Sequence, residues 1–185
     1  MIIGIDEVGR GCLAGPVCVG AVLHHDGLAG ISGDSKLLSA DVRVAYAAAM
    51  RRLTPVSLGW ASAAYIDSHG LTAALRLAAQ RALATIDENI TQILLDGNHN
   101  YIGDKRVKTI IHGDAEHPAI GAASIIAKVA RDAYMHAMHA RYPTYGFITH
   151  VGYATPFHRA AIQKFGASAI HRLSFAPLKT AQHVN

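Results

Sequence analysis

The hydrophobic positions of the chain begin in strand period. Residues 2–6 form a short β-branched run, and residues 16–23 form a second, rich in Val and bounded by Gly15 and Pro16; both read as strands. Residues 41–53 are Ala-rich, with Arg51 and Arg52 in the last turn and Pro55 just beyond, the pattern of a helix and its stop. A third strand is predicted at 56–61. Residues 71–86 predict a helix whose polar side chains, Arg76, Gln80 and Arg81, make one narrow stripe, so protein should cover most of its circumference. Short strands follow at 92–96 and 107–111. A long helix at 120–140 carries Lys128, Arg131, Asp132, Met135, His136 and His139 on its wetter face. Strands first, then strands alternating with helices, predict an α/β fold in which helices pack on a mixed sheet. No repeat, low-complexity tract or linker divides the sequence, so residues 1–185 are expected to form a single domain.

Composition narrows the partners. Lys and Arg total 17 against 13 Asp and Glu, a net charge of +4 that favours an anionic partner such as nucleic acid or a membrane surface. The 12 His should add to that attraction as pH falls through their ordinary pKa. The apolar run at 17–23 is far short of the roughly 20 residues a spanning helix needs. No basic segment precedes an apolar stretch at the N-terminus, so the expectation is a cytoplasmic chain without signal peptide or membrane anchor. Cys12 and Cys18, the only cysteines, lack the spacing of a zinc site and read as reduced, inert thiols.

The acidic residues are few, which makes their placement informative. Asp6 and Glu7 end the first predicted strand, Asp96 ends a later one, and Asp114 follows another, and strand ends are where α/β sheets put their chemistry. Were these ends neighbours, each carboxylate pair about 4 Å apart would repel by roughly 4 kcal/mol at an effective dielectric near 20. Hard oxygen ligands suit Mg²⁺ or Mn²⁺, and two such ions serve phosphodiester hydrolysis. Consecutive strand residues point to opposite faces, so Asp6 and Glu7 share a metal site only if the strand frays or bulges there. Taken singly, a strand-end Asp more commonly caps a turn.

Residues 9–14, GRGCLA, formally satisfy a dinucleotide-binding fingerprint. Against it, Asp6 and Glu7 would repel a pyrophosphate, and residues 15–19 continue as strand where that motif opens a helix. The alternatives are a tight turn, or two glycines that let backbone amides approach a nucleic-acid strand with Arg10 beside them on a phosphate. His136 with His139, and His24 with His25, find no Cys or carboxylate to complete a transition-metal set. His150 and His158 suit structural hydrogen bonds better than ligation. Arg43, Arg51 and Arg52 read as a solvated helix face.

Residues 4–11, GIDEVGRG, closely resemble the signature of the ribonuclease HII family. So do Asp34-Ser35-Lys36, Ile66-Asp67 with Gly70, Leu95-Asp96-Gly97, Gly113-Asp114, the run AASIIAKV at 122–129 with Arg131-Asp132, Tyr142-Pro143 with Tyr145-Gly146-Phe147, Gly152-Tyr153, and His171-Arg172 with Ser174-Phe175. The resemblance implies a ribonuclease H-like fold, a central mixed sheet flanked by helices with a helical C-terminal region. It implies that Asp6, Glu7, Asp96 and Asp114 are catalytic carboxylates holding two divalent ions, with Asp6 bridging both. It further implies that Gly9, Arg10 and Gly11 read the ribonucleotide, that Tyr153 tests the RNA–DNA junction, and that Lys36 contacts a phosphate. The implied activity is endonucleolytic cutting of the RNA strand of RNA–DNA hybrids, and 5′ of ribonucleotides embedded in duplex DNA, by a monomer. Two departures stand out: His112 and Val151 occupy positions that are commonly basic in the family, which lowers the expected count of phosphate contacts. Competing readings are a non-catalytic duplex-binding module, a transposase- or integrase-like nuclease on the same fold, and ribonuclease HIII. The last usually carries an N-terminal extension and lacks the Gly-Arg-Gly segment, whereas here the signature begins at Met1.

Overall fold

The computed structural model describes residues 1–30, 38–86 and 89–181. Its strands are β1 (Ile2–Val8), β2 (Val17–Leu23), β3 (Val56–Ala61), β4 (Gln92–Asp96) and β5 (Val107–Ile110). The helices are α1 (Ala40–Leu53), α2 (Ala63–His69), α3 (Leu71–Leu83), α4 (Gly113–Glu116), α5 (Pro118–Arg141), α6 (Phe147–His150), α7 (Pro156–Phe165) and α8 (Leu178–Ala181). The strands form a 5-stranded sheet in the order β3-β2-β1-β4-β5. The hairpin side pairs antiparallel, and β1 with β4 and β4 with β5 pair parallel, giving the mixed sheet that the strand-rich start predicts.

Each face of the sheet is covered. Ile3, Ile5, Val19, Ile93 and Leu95 pack on α2 and α3 through Ile66, Ala74, Leu75 and Ala78, all buried. Burying each large aliphatic contributes roughly 1.5–3 kcal/mol. The other face carries α1 and α5 through Met50, Ala122, Ala123, Ile125 and Ile126. Here α5 lies directly on the strands: a Cβ on Gly4 would fall 2.3 Å from the backbone of Ala119, and one on Gly20 2.3 Å from the carbonyl of Ala123. That close approach sets the height of α5 over β1 and β2.

A third cluster, containing Ala14, Met135, Tyr145, Phe147, Val151 and Ala161, fastens α6 and α7 to the C-terminal half of α5. It changes the reading of that helix. Arg131 and Met135, placed by periodicity on the wetter face, are both fully buried. The Arg131 guanidinium is tolerated there because it donates to the carbonyls of Pro16 at 2.9 Å, Val151 at 2.9 Å and Ala14 at 3.1 Å, which satisfies its buried donors.

Candidate active site

The parallel pairing of β1 with β4 ends at Ile5 and Leu95, so Asp6, Glu7 and Asp96 stand just past it at the same end of the sheet. All three line one cleft of about 270 Å³. No bulge brings Asp6 and Glu7 together, contrary to the sequence expectation. Pairing with β2 runs regularly through Asp6 with Gly20, Glu7 with Val19 and Val8 with Cys18, and the two side chains take opposite faces. Asp6 turns toward α5 and bonds with the Ser124 side chain, while Glu7 accepts from the Tyr101 hydroxyl at 3.0 Å. Both nonetheless line the same cleft, with Asp96 of the neighbouring strand.

The electrostatics call for a cation. Burial, then the negative charges of Glu7 and Asp96, push the Asp6 carboxyl up to about 8, against the pull of Ser124 and the Glu7 amide, which donates to it at 2.7 Å. Asp96 Oδ1 is buried with no hydrogen-bond partner, and an orphaned carboxylate oxygen in a dry pocket is costly unless a donor or a cation meets it. Glu7 has a counter-charge already, since Arg10 bonds its other oxygen at 2.6 Å, and that contact raises the Arg10 pKa. Oxygen donors of this kind fit Mg²⁺ or Mn²⁺.

Asp114 is buried near the start of α4, on the segment that follows β5, and is not one of the cleft's lining side chains. Among the described residues no three His, Cys, Asp or Glu converge closely enough to grip an ion as they stand. Three of the four carboxylates therefore share the cleft, and the fourth sits on the helix that abuts α5.

The other wall holds the residues expected from the sequence to meet nucleic acid. Gly9, Arg10, Gly11 and Tyr153 all line the cleft, with Arg10 and Gly11 exposed and Tyr153 41% exposed. Gly9 has φ 89°, and a Cβ there would meet Arg131 Nε at 2.2 Å, so the glycine is needed for both conformation and room. The segment continues into β2, not into a helix, which removes the dinucleotide reading. Lys36, with Asp34 and Ser35, lies outside the described residues. Ser124 and Lys128 also line the cleft, a role the sequence reading does not assign them; their spacing of four on one helix, inside the family-like run at 122–129, is the available signal. Lys128 is paired to Asp132 at 2.8 Å.

The departures at 112 and 151 share a conformation, for among the described residues His112 and Val151 are the non-glycine residues with positive φ, at 57° and 44°. His150 and His158 make hydrogen bonds to the carbonyls of Tyr145 and Tyr153. Cys12 and Cys18 are free and buried, and burial pushes both thiols up, which leaves them unreactive.

A mixed sheet whose central strands end in carboxylates, with a long helix laid across them, is the arrangement of a ribonuclease H-like nuclease. The comparisons agree on the class. A complex of PCNA with ribonuclease HII from Archaeoglobus fulgidus aligns with TM-score 0.78 and 25% identity, over 94% of this chain and 92% of that one. Bst-RNase HIII in complex with Mn²⁺ has the same fold, with TM-score 0.72 and 21% identity over 98% of this chain and 68% of that one. The family model for ribonuclease HII matches residues 3–178. Ribonuclease HII of Streptomyces avermitilis is 44% identical over 185 residues, covering 96% of this chain and 78% of that protein. The chain belongs to the ribonuclease HII family, and it is an endonuclease acting on the RNA of RNA–DNA hybrids.

Proposed function

We propose that the chain also cuts on the 5′ side of ribonucleotides embedded in duplex DNA, leaving a 3′-hydroxyl and a 5′-phosphate, with two divalent ions, Mg²⁺ or Mn²⁺, held by Asp6, Glu7, Asp96 and Asp114. The observation that carries this is the convergence of Asp6, Glu7 and Asp96 in one cleft, where burial and the neighbouring acids push the Asp6 carboxyl up to about 8 and Asp96 Oδ1 has no partner. When bound, the ions activate a water and neutralise charge on the leaving oxygen. Asp6, Glu7 and Asp96 would hold the ions from the cleft, and Asp114 would join them from α4.

The chain's own groups do the reading. Gly11, with open space where a side chain would be, lets the backbone approach the sugar and test for a 2′-hydroxyl, the group that separates RNA from DNA. Tyr153 presents an aromatic face to the sugar or base at the junction. Arg10, once an ion takes over Glu7, is free to meet a phosphate through its planar fork, and Lys36 adds a positioning contact. We further propose that the enzyme works as a cytoplasmic monomer with one catalytic domain over residues 1–185. No described helix is long and apolar enough to cross a membrane.

The test is a duplex carrying one ribonucleotide, incubated with Mg²⁺ or Mn²⁺. Cleavage 5′ of the ribonucleotide that EDTA abolishes is the expected result. Absence of that cut, or indifference to EDTA, rejects the proposal. A pure duplex-binding module is disfavoured because carboxylates facing phosphates only weaken binding.

A further inference from the structure

Three buried histidines lie behind Tyr153, and the reaction as described uses none of them. His158 Nδ1 is 2.8 Å from the Tyr153 carbonyl, His158 Nε2 is 3.0 Å from His171 Nε2, and the Ser168 amide and hydroxyl lie 2.9 and 2.8 Å from His171 Nδ1. The ends of this chain fix the protons between them. A carbonyl only accepts, so His158 carries its proton on Nδ1 and offers a bare Nε2. His171 must then donate from Nε2, which leaves its Nδ1 bare to accept from the Ser168 amide, a group that only donates. Every bond is satisfied by one pair of neutral tautomers, and a second proton on either ring would set donor against donor. His150 stacks on His158 with centroids 4.5 Å apart and is anchored the same way, Nε2 on the Tyr145 carbonyl and Nδ1 accepting from Gly152. Burial lowers the pKa of all three, His171 to about 4.

We infer that His158 and His171 are positioning residues for Tyr153: a one-way relay of two neutral imidazoles pins the Tyr153 carbonyl to α7, and so sets the aim of its ring into the cleft. The inference rests on the proposed role of Tyr153 as the aromatic that contacts the ribonucleotide junction. The turn before it is held by other groups, the Val151 carbonyl by Arg131 and the Gly152 carbonyl by the Leu13 amide, and the Tyr153 side chain bonds with Cys12. What the relay adds is a hold on the Tyr153 backbone, whose amide donates to the His150 carbonyl at 2.9 Å and whose carbonyl, among the described residues, also receives the Thr155 amide at 2.9 Å.

The tautomers are readable in the unmodified protein by two-bond ¹⁵N–¹H correlation of its imidazoles at neutral pH. His158 should appear protonated on Nδ1 and His171 on Nε2; any other pair, or a charged ring, overturns the inference. Cleavage of a duplex with one ribonucleotide then tests the linkage. His158→Leu should lower kcat/KM about tenfold, the scale of one lost positioning hydrogen bond. His158→Asn should recover most of that, because its amide nitrogen can donate to the same carbonyl. Tyr153→Ala and the double variant Tyr153→Ala with His158→Leu should be equally impaired, since the relay acts only through the tyrosine. Losses that multiply in the double variant, or an Asn variant as poor as Leu, overturn the relay while leaving the tyrosine's role in place. A Tyr153→Ala enzyme of full activity removes that role and the relay's function with it.

Discussion

Asp6 carries the conflict between stability and function in a single side chain. Its folded pKa near 8 stands above the ordinary 3.8, so the unfolded chain gives up a proton that the folded, metal-free chain keeps. The stability tied to it is therefore fully present below about pH 4 and is lost as pH rises toward 8. Asp6→Asn should raise metal-free stability at pH 8 by on the order of 1–3 kcal/mol, by relieving a buried acid crowded by two others, while abolishing cleavage. Thermal melts with and without EDTA check it: Mg²⁺ or Mn²⁺ should stabilise the parent chain and have little effect on the variant. The acids themselves were legible in the sequence because β-branched runs announce where strands end. Their geometry was not. Nothing in strand periodicity tells that β1 and β4 lie side by side and bring Asp6, Glu7 and Asp96 to one cleft, nor that Tyr101, in an aperiodic loop, donates its hydroxyl to Glu7.

The elements show a similar division. β3 and β4 fall where the hydrophobic pattern places them, because strands buried against helices must keep their apolar faces. Of the helices that periodicity does not announce, α2 and α7 have N-caps that are written in the sequence: Ser62 accepts from Tyr65, and Thr155, followed by Pro156, accepts from His158. The misreading of α5 has a different cause. An arginine at a polar spacing looks solvated until something else in the fold supplies carbonyls to it, and Arg131 meets three from two remote segments. Arg131→Ala should cost at least about 3 kcal/mol in urea unfolding, because those carbonyls would be left buried without donors. The histidine group makes a prediction of opposite sign to that of Asp6. Its folded pKa values are lowered, that of His171 to about 4, so stability is complete above pH 6.5 and falls as pH drops through the folded values, by at most about 1.4 kcal/mol per pH unit for each ring. Equilibrium unfolding across that range reads it. The same fact trims the expectation that all the histidines add charge in mild acid, for burial disfavours the charged form of these three.

On the scale of the whole molecule, charge is divided along the chain. No Asp or Glu lies beyond Asp132, whereas Arg141, Arg159, Lys164, Arg172 and Lys179 do, and of these Arg172 is buried. The C-terminal part thus offers cations without competing acids, while the carboxylates stay at the sheet ends, a separation that suits a polyanion held beside a metal site. The exposed His112, at a commonly basic position, is one contact fewer. His112→Lys should tighten duplex binding and steepen the slope of log K against log salt by about 0.9, measured by titration in EDTA so that no cleavage intervenes.

The reach of Arg131 and Arg172 has one more outcome. Leu13 and Gly15 donate to Gly152 and Ile170, Arg172 returns a bond to Leu13, and its guanidinium holds the carbonyls of Gly15 and Arg10. The lip that carries Gly9 and Gly11 is thereby stitched to the far end of the polypeptide and to the long helix at once. Such a lip has no private way of loosening. In deuterium, the amides of Leu13 and Gly15 should be as slow to exchange as those in the middle of α5, and substrate should meet a rim already set.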